Sequence, residues 1–264
     1  MKKFLNKISS NQNMLRYGLA ATILVFMVFY NRAGRHKVRT LSGKLIVSVK
    51  HLESGNDFIT GEEMRDRVRK KFQSEFASVP IGSLSPMEVE SSLQSLDFIK
   101  TADVFVDGNN CLNIYITQRE PMFRLLNGEG QSYYIDKEGT MMPASMHYSP
   151  RVLVAFAPIH VTGDTIENKK PGLQKEMFDL ANIIIHDDIL HALVEEIVSD
   201  VNGDWMLIPK IGPSRILIGN LDRIEDKIND LKRVYKVILP AQGWDKYYSV
   251  NLKYRGQVIC TKRA

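Results

Sequence analysis

The stretch that most limits what this chain can become is Tyr17 to Tyr30, YGLAATILVFMVFY, an apolar run with neither an acid nor a base. As a helix, a run of that length rises about 21 Å against a hydrocarbon core of about 30 Å. A membrane anchor, the apolar region of a cleaved secretory signal and a buried core helix all remain open on length alone. The flanks favour the anchor. A helix from Leu15 to Ala33 is long enough if Arg16 and Arg32 snorkel to the two interfaces, and Asn31-Arg32-Ala33-Gly34 offers no small-x-small cleavage site. The expectation is an uncleaved transmembrane helix over 15–33, in contact with membrane lipid through Tyr17 to Tyr30. Lys2, Lys3, Lys7 and Arg16 precede the run, and Arg32, Arg35, Lys37 and Arg39 follow it, so charge does not orient it. Size does, because long domains are exported largely regardless of flanking charge. This puts a tail, 1–14, in the cytoplasm and the rest outside the inner membrane.

Charge separates the same two parts. The whole chain carries a formal net charge of +5, but its first forty residues hold eight Lys/Arg and no acid. Taking those eight from 35 bases leaves 27 against 30 acids, a net of −3 for the remainder. The basic excess therefore belongs beside lipid headgroups, and the large part has no footprint for a phosphate backbone, which excludes nucleic acid as a partner. Cys111 and Cys260 are the only cysteines. No disulfide framework holds the fold, and two unpaired, half-buried thiols are expected.

After a basic linker, 34–43, the chain reads as an α+β protein. Leu45, Val47 and Val49 alternate with Ile46 and Ser48, a half-buried strand. Thr60 and Glu63 form a capping box ahead of Met64, Val68 and Phe72, spaced as one face of a helix. Its Arg65, Arg67, Arg69 and Lys70 read as a solvated face. Ser85-Pro86-Met87-Glu88 starts a second helix with Val89, Leu93 and Leu96 as its stripe. Two strands follow, Ala102 to Val106 and Leu112 to Ile116, joined by Asp107-Gly108-Asn109-Asn110. Strand, helix, helix, strand, strand make a small two-layer module over 44–118.

That order, the N-terminal anchor and Ile116-Thr117-Gln118-Arg119-Glu120-Pro121 together resemble the bacterial cell-division family FtsQ/DivIB, whose POTRA domain ends in a strand reading roughly V-x-E-R-x-P. Tyr133-Tyr134-Ile135-Asp136-Lys137-Glu138-Gly139 is similar to that family's aromatic-hydrophobic-D-x-x-G turn, and Pro150-Arg151-Val152-Leu153-Val154 to its proline-led strand. Ser249-Val250-Asn251-Leu252-Lys253-Tyr254 resembles its V-D-L-R-Y strand. Gln118 and Asn251 stand where the family has acids, and Ala155-Phe156-Ala157 where a glycine commonly follows, so the member is divergent. The resemblance implies a POTRA domain over 44–118 and an antiparallel β-domain with helices over 119–264. It further implies a non-catalytic single-pass scaffold of the septum, with FtsB/FtsL-type partners at the β-domain and other division proteins at the POTRA domain.

Within 119–264, a helix is expected to run through Ile185, strands at Val194 to Val198, Trp205 to Ile208 and Arg215 to Ile218, and a long helix over Leu221 to Leu239 that Pro240 ends. The chain closes in a hairpin, Lys246 to Lys262, turning at Arg255-Gly256. A closing strand tends to lie at a sheet edge with free N–H and C=O groups. Either its bases, Lys253, Arg255, Lys262 and Arg263, guard that edge against aggregation, or the edge binds another polypeptide. The resemblance implies the second, with FtsB adding a strand at Tyr247, Tyr248, Ser249, Val250, Asn251, Leu252, Lys253, Tyr254, Gln257 and Val258.

Catalytic signals are weak. His186 and His191 lie five apart around Asp187 and Asp188, which is neither H-E-x-x-H nor the spacing that puts two imidazoles on one helical face. His147 and His160 flank the Pro150 strand without an evident third ligand. No G-x-S-x-G elbow, P-loop or G-x-G-x-x-G is present, and neither cysteine has an activating partner. Trp205 and Trp244 read as packing rather than sugar platforms. No metal and no cofactor are expected. The rival readings are a membrane-anchored envelope enzyme acting on peptidoglycan, and a POTRA-bearing outer-membrane assembly factor, for which too little chain follows Gln118.

Overall fold

The computed structural model describes residues 22–28, 30, 43–72, 79–145, 147–162, 165–167 and 172–263. The fold is α+β in two compact units. One takes the described residues through Lys50 together with Ile59–Thr117, and the other takes His51–Phe58 together with the chain from Gln118 onward.

The expected spanning helix over 15–33 is corrected. Residues 22–28 and 30 are helical, but among the described residues no helix is long and apolar enough to cross a membrane. The other residues of that span, the tail 1–14 and most of the 34–43 linker lie outside the described residues.

The first unit lays two helices on one face of a three-stranded sheet. β1 (Leu45–Lys50), β2 (Ile99–Val106) and β3 (Leu112–Gln118) stand in the order β1-β3-β2, with β1 parallel to β3. Helix α1 (Gly61–Phe72) begins where Thr60 Oγ1 accepts the Glu63 N–H at 3.2 Å, and it buries Met64 and Val68. In α2 (Pro86–Gln94), Ser85 Oγ accepts the Glu88 N–H while Pro86 takes a first-turn position that needs no donor, and Val89 and Leu93 go inside. Leu112, Ile114 and Ile116 of β3 are at most 2% exposed and form the floor of this core.

The second unit is organised by a nine-stranded sheet. Its strands are β4 (Pro121–Asn127), β5 (Ser132–Asp136), β6 (Met141–Pro143), β7 (Leu153–Ala157), β10 (Val194–Ser199), β11 (Trp205–Pro209), β12 (Arg215–Gly219), β13 (Tyr247–Asn251) and β14 (Ile259–Lys262). A short hairpin of β8 (His160–Thr162) and β9 (Thr165–Glu167) stands apart from it. The order is β14-β13-β12-β11-β10-β7-β4-β5-β6. The expected antiparallel domain is thus corrected to a mixed sheet, because β4–β7, β7–β10 and β12–β13 are parallel. Parallel neighbours need a crossover rather than a tight turn. Helices α3 (Leu173–Ile185) and α4 (Asp188–Leu193) lie between β7 and β10, and α5 (Ile224–Arg233) between β12 and β13. One apolar core joins strands and helices, with Phe123, Leu125, Ala155, Ile197, Leu207, Ile216 and Val250 meeting Leu180, Ile184, Leu190 and Leu231.

One local recipe makes four hairpins across the two units. At Asp107, Asn127, Asp136 and Asp200 a side-chain Oδ1 accepts the N–H groups two and four residues on. The residue three on adopts a left-handed conformation, Asn110 (φ 63), Gly130 (φ 80), Gly139 (φ 82) and Gly203 (φ 79). That geometry is a turn followed by a bulge, and it selects Asx first and glycine or asparagine fourth.

The last helix runs further than Pro240 suggests. Val234–Ile238 widens into a π-turn, where the Leu239 N–H donates to Val234 O five residues back, and the helix continues through Leu239–Gln242. The wider turn accommodates the proline without a broken ladder. Gly243, at φ 100, ends it.

Candidate functional site

The sequence-chosen binding residues do not all lie where a partner could reach their main chain. Tyr247–Asn251 form β13, which pairs with β12 on one side and β14 on the other. Val250 is wholly buried and Leu252 is 2% exposed, so both belong to the core. Ser249 is also buried, and Lys253 pairs with Asp204. Tyr248 is 38% and Tyr254 52% exposed, Arg215 lies over the Tyr248 ring at 4.7 Å, and Gln257 and Val258 sit in the connecting loop. The strand at the end of the sheet is β14.

Which β14 groups are free follows from alternation along the two strands. The Leu252 N–H donates to Leu217 O and Tyr248 O accepts the Ser214 N–H, so even-numbered residues of β13 turn toward β12. Ser249 and Asn251 then turn toward β14, where they stand opposite Thr261 and Ile259. Beyond a register shift between Tyr247 and Ser249, Lys262 stands opposite Tyr247 and the Arg263 N–H donates to Lys246 O. Ile259, Thr261 and Arg263 are thus engaged inward, while Cys260 and Lys262 direct N–H and C=O away from the sheet. Ile259 is 43% exposed, and burial pushes the Cys260 thiol pKa up, consistent with a side chain lodged half in the core.

Elsewhere the titratable candidates are structural. Asp187 caps α4 by accepting the Ile189 and Leu190 N–H groups and pairs with Lys232, whose hydrogen bond holds the Asp187 carboxyl below its ordinary 3.8. His186 Nδ1 lies 2.9 Å from Asn182 O, at the end of α3. Among the described residues no group of three or more His, Cys, Asp or Glu could hold a metal ion. Cys111 and Cys260 are both free and half-buried. Trp205 is buried and donates to Glu176 Oε2 at 3.0 Å, whereas Trp244 is 40% exposed.

A family model described as FtsQ/DivIB, C-terminal related, matches residues 120–261, from the start of β4 into β14. The chain belongs to the FtsQ/DivIB family. Membership assigns it to cell division and associates it with the septum and with other division proteins, in a family that is generally non-catalytic. No curated protein matches the chain. The family match covers the sheet that ends in β14, and sequence reasoning missed the outward groups of Cys260 and Lys262 there.

Proposed function

We propose that this FtsQ/DivIB protein is a non-catalytic scaffold of the division machinery that captures an FtsB/FtsL-type partner by strand addition along β14. The observation that supports it is the outward N–H and C=O pair at Cys260 and again at Lys262, on a strand with no further neighbour among the described residues. Main-chain bonds to those groups would supply affinity, and side chains alternating along the added strand would supply specificity. The strand-helix-helix-strand-strand unit ahead of the sheet serves, in this reading, as a POTRA domain that engages other division proteins.

The test contrasts proline at outward and inward positions. Cys260→Pro and Lys262→Pro each remove one outward donor and leave the bonds to β13 in place. Capture of the FtsB-type partner should fall at least tenfold in both, with thermal unfolding little changed. Unaltered capture by both variants would refute strand addition at this edge. An enzymatic reading has no comparable observation among the described residues.

A further inference from the structure

Beyond the end of β14 lies an open pocket of about 560 Å³, lined by Lys210, Ile211, Ser214, Trp244, Asp245 and Arg263 among others. The β11–β12 turn forms one side and the Trp244 indole another. The turn is tied to the last helix, since the Tyr235 hydroxyl donates to Ile211 O at 3.0 Å and the Tyr235 and Trp244 ring centroids stand 6.0 Å apart. Gly212, at φ 86, lets the turn pass close to that helix: a Cβ there would meet Leu239 at 3.3 Å and the Tyr235 hydroxyl at 3.5 Å. The walls are therefore set by packing before any ligand arrives.

Two cations face this space against one acid, Asp245. Arg263 donates from Nη2 to Ser214 Oγ at 3.2 Å, and Lys210 donates from Nζ to His191 O at 3.3 Å. A guanidinium has five N–H donors and an ammonium three, so both keep donors for another acceptor. Arg263 is also the residue directly after β14, with its own N–H fixed on Lys246 O. The open edge and the pocket are thus continuous through one residue.

We propose that the pocket receives an acidic side chain of the partner segment, carried just beyond the residues that pair with β14; this rests on strand addition at that edge. A strand advances about 3.3 Å per residue, so a segment that runs along β14 and past Lys262 delivers its next side chains over Arg263. A carboxylate fits the chemistry, because it can take two parallel bonds from a guanidinium. Trp244 and Ile211 would cover its methylene stem. Such an anchor would set the register, since a one-residue slip would turn every side chain of the added strand to the opposite face.

The experiment measures binding of the purified full chain to the FtsB-type partner at low and high salt. The double variant Lys210→Glu, Arg263→Glu should bind about tenfold more weakly at low salt, with the gap narrowing as salt rises, and its unfolding temperature should be unchanged. One Asp→Lys or Glu→Lys change in the partner segment should restore binding to the double variant while weakening binding to the wild type. Loss of capture in Cys260→Pro beside unchanged affinity and salt dependence in the double variant would overturn the pocket and leave strand addition standing. A weakened double variant that no partner acid-to-base change restores would overturn the acidic anchor too. Unaltered capture by both proline variants would bring down strand addition, and the pocket assignment with it.

Discussion

The two margins of the nine-stranded sheet solve the problem of an exposed edge in opposite ways. At one margin, β6 pairs only with β5, and the bond from the Asp136 N–H to Thr140 O fixes the phase of that pair. Alternation then turns Met141 and Pro143 outward, and Pro143 has no N–H to offer. At the other margin the outward residues are Cys260 and Lys262, and both keep their donors. Short length and basic side chains protect β14 from its own copies, as Lys262 and Arg263 would repel a like edge. The same bases favour an acidic visitor. The two readings of the terminal bases, guard and dock, are therefore compatible on β14, whereas proline makes β6 a guard alone.

Stability is also distributed unequally between these margins. Beside β6, Asp136 is wholly buried; its Oδ1 accepts the Glu138 and Thr140 N–H groups and its Oδ2 accepts Arg119 Nη1 at 2.8 Å. Asp136→Ala should thus have the largest effect of any turn substitution, about 3 kcal/mol in urea unfolding, because it leaves a mostly buried guanidinium without its carboxylate. Asp200→Ala, in the same recipe at an exposed hairpin where Asp200 forms no ion pair among the described residues, should cost a small fraction of that. Equal losses would show that the margin at β6 is not held by the ion pair. Next in size is Thr261→Pro, which removes an inward donor to Ser249 and should cost about 1–2 kcal/mol of stability. Cys260→Pro should cost less than half as much. A reversed ranking would mean that β14 faces its neighbour with the other set of groups.

These margins differ in how far they could be read from sequence. Thr60, Ser85 and the Asx turns are local instructions, each satisfied within four residues, so the strand-helix-helix-strand-strand order was legible. Strand order was not. Nothing local in Tyr247–Asn251 tells it to lie parallel to β12, because that pairing depends on α5 and the π-turn that carry the chain back. A run rich in strand-forming residues such as β13 looks like an edge until its neighbours are known. Pro240 misled in the same way: it signals a helix stop, yet five residues of wider turn ahead of it admit it.

Restoring a donor at the closed margin tests the comparison in reverse. Pro143→Thr supplies an outward N–H on β6 and a β-branched side chain suited to a strand. Sedimentation should show new self-association at about 100 μM protein, while partner capture at β14 stays as it was. A variant that remains monomeric at every concentration would show that β6 is closed by more than its proline.

The smallest effect lies among the helices behind the open half of the sheet. Lys232 holds Asp187, so the carboxyl titrates below its ordinary 3.8 when folded. A depressed carboxyl contributes stability above its unfolded value and loses it as pH falls through the folded value. Both side chains are 25% exposed, which limits the contribution to about 0.5–1 kcal/mol. Lys232→Met should therefore lower the unfolding temperature slightly at pH 7, by an amount that shrinks as pH falls toward 2 and Asp187 takes up its proton. A deficit that persists unchanged at pH 2 would assign the loss to packing of the lysine stem, and the open half would then owe nothing to this pair.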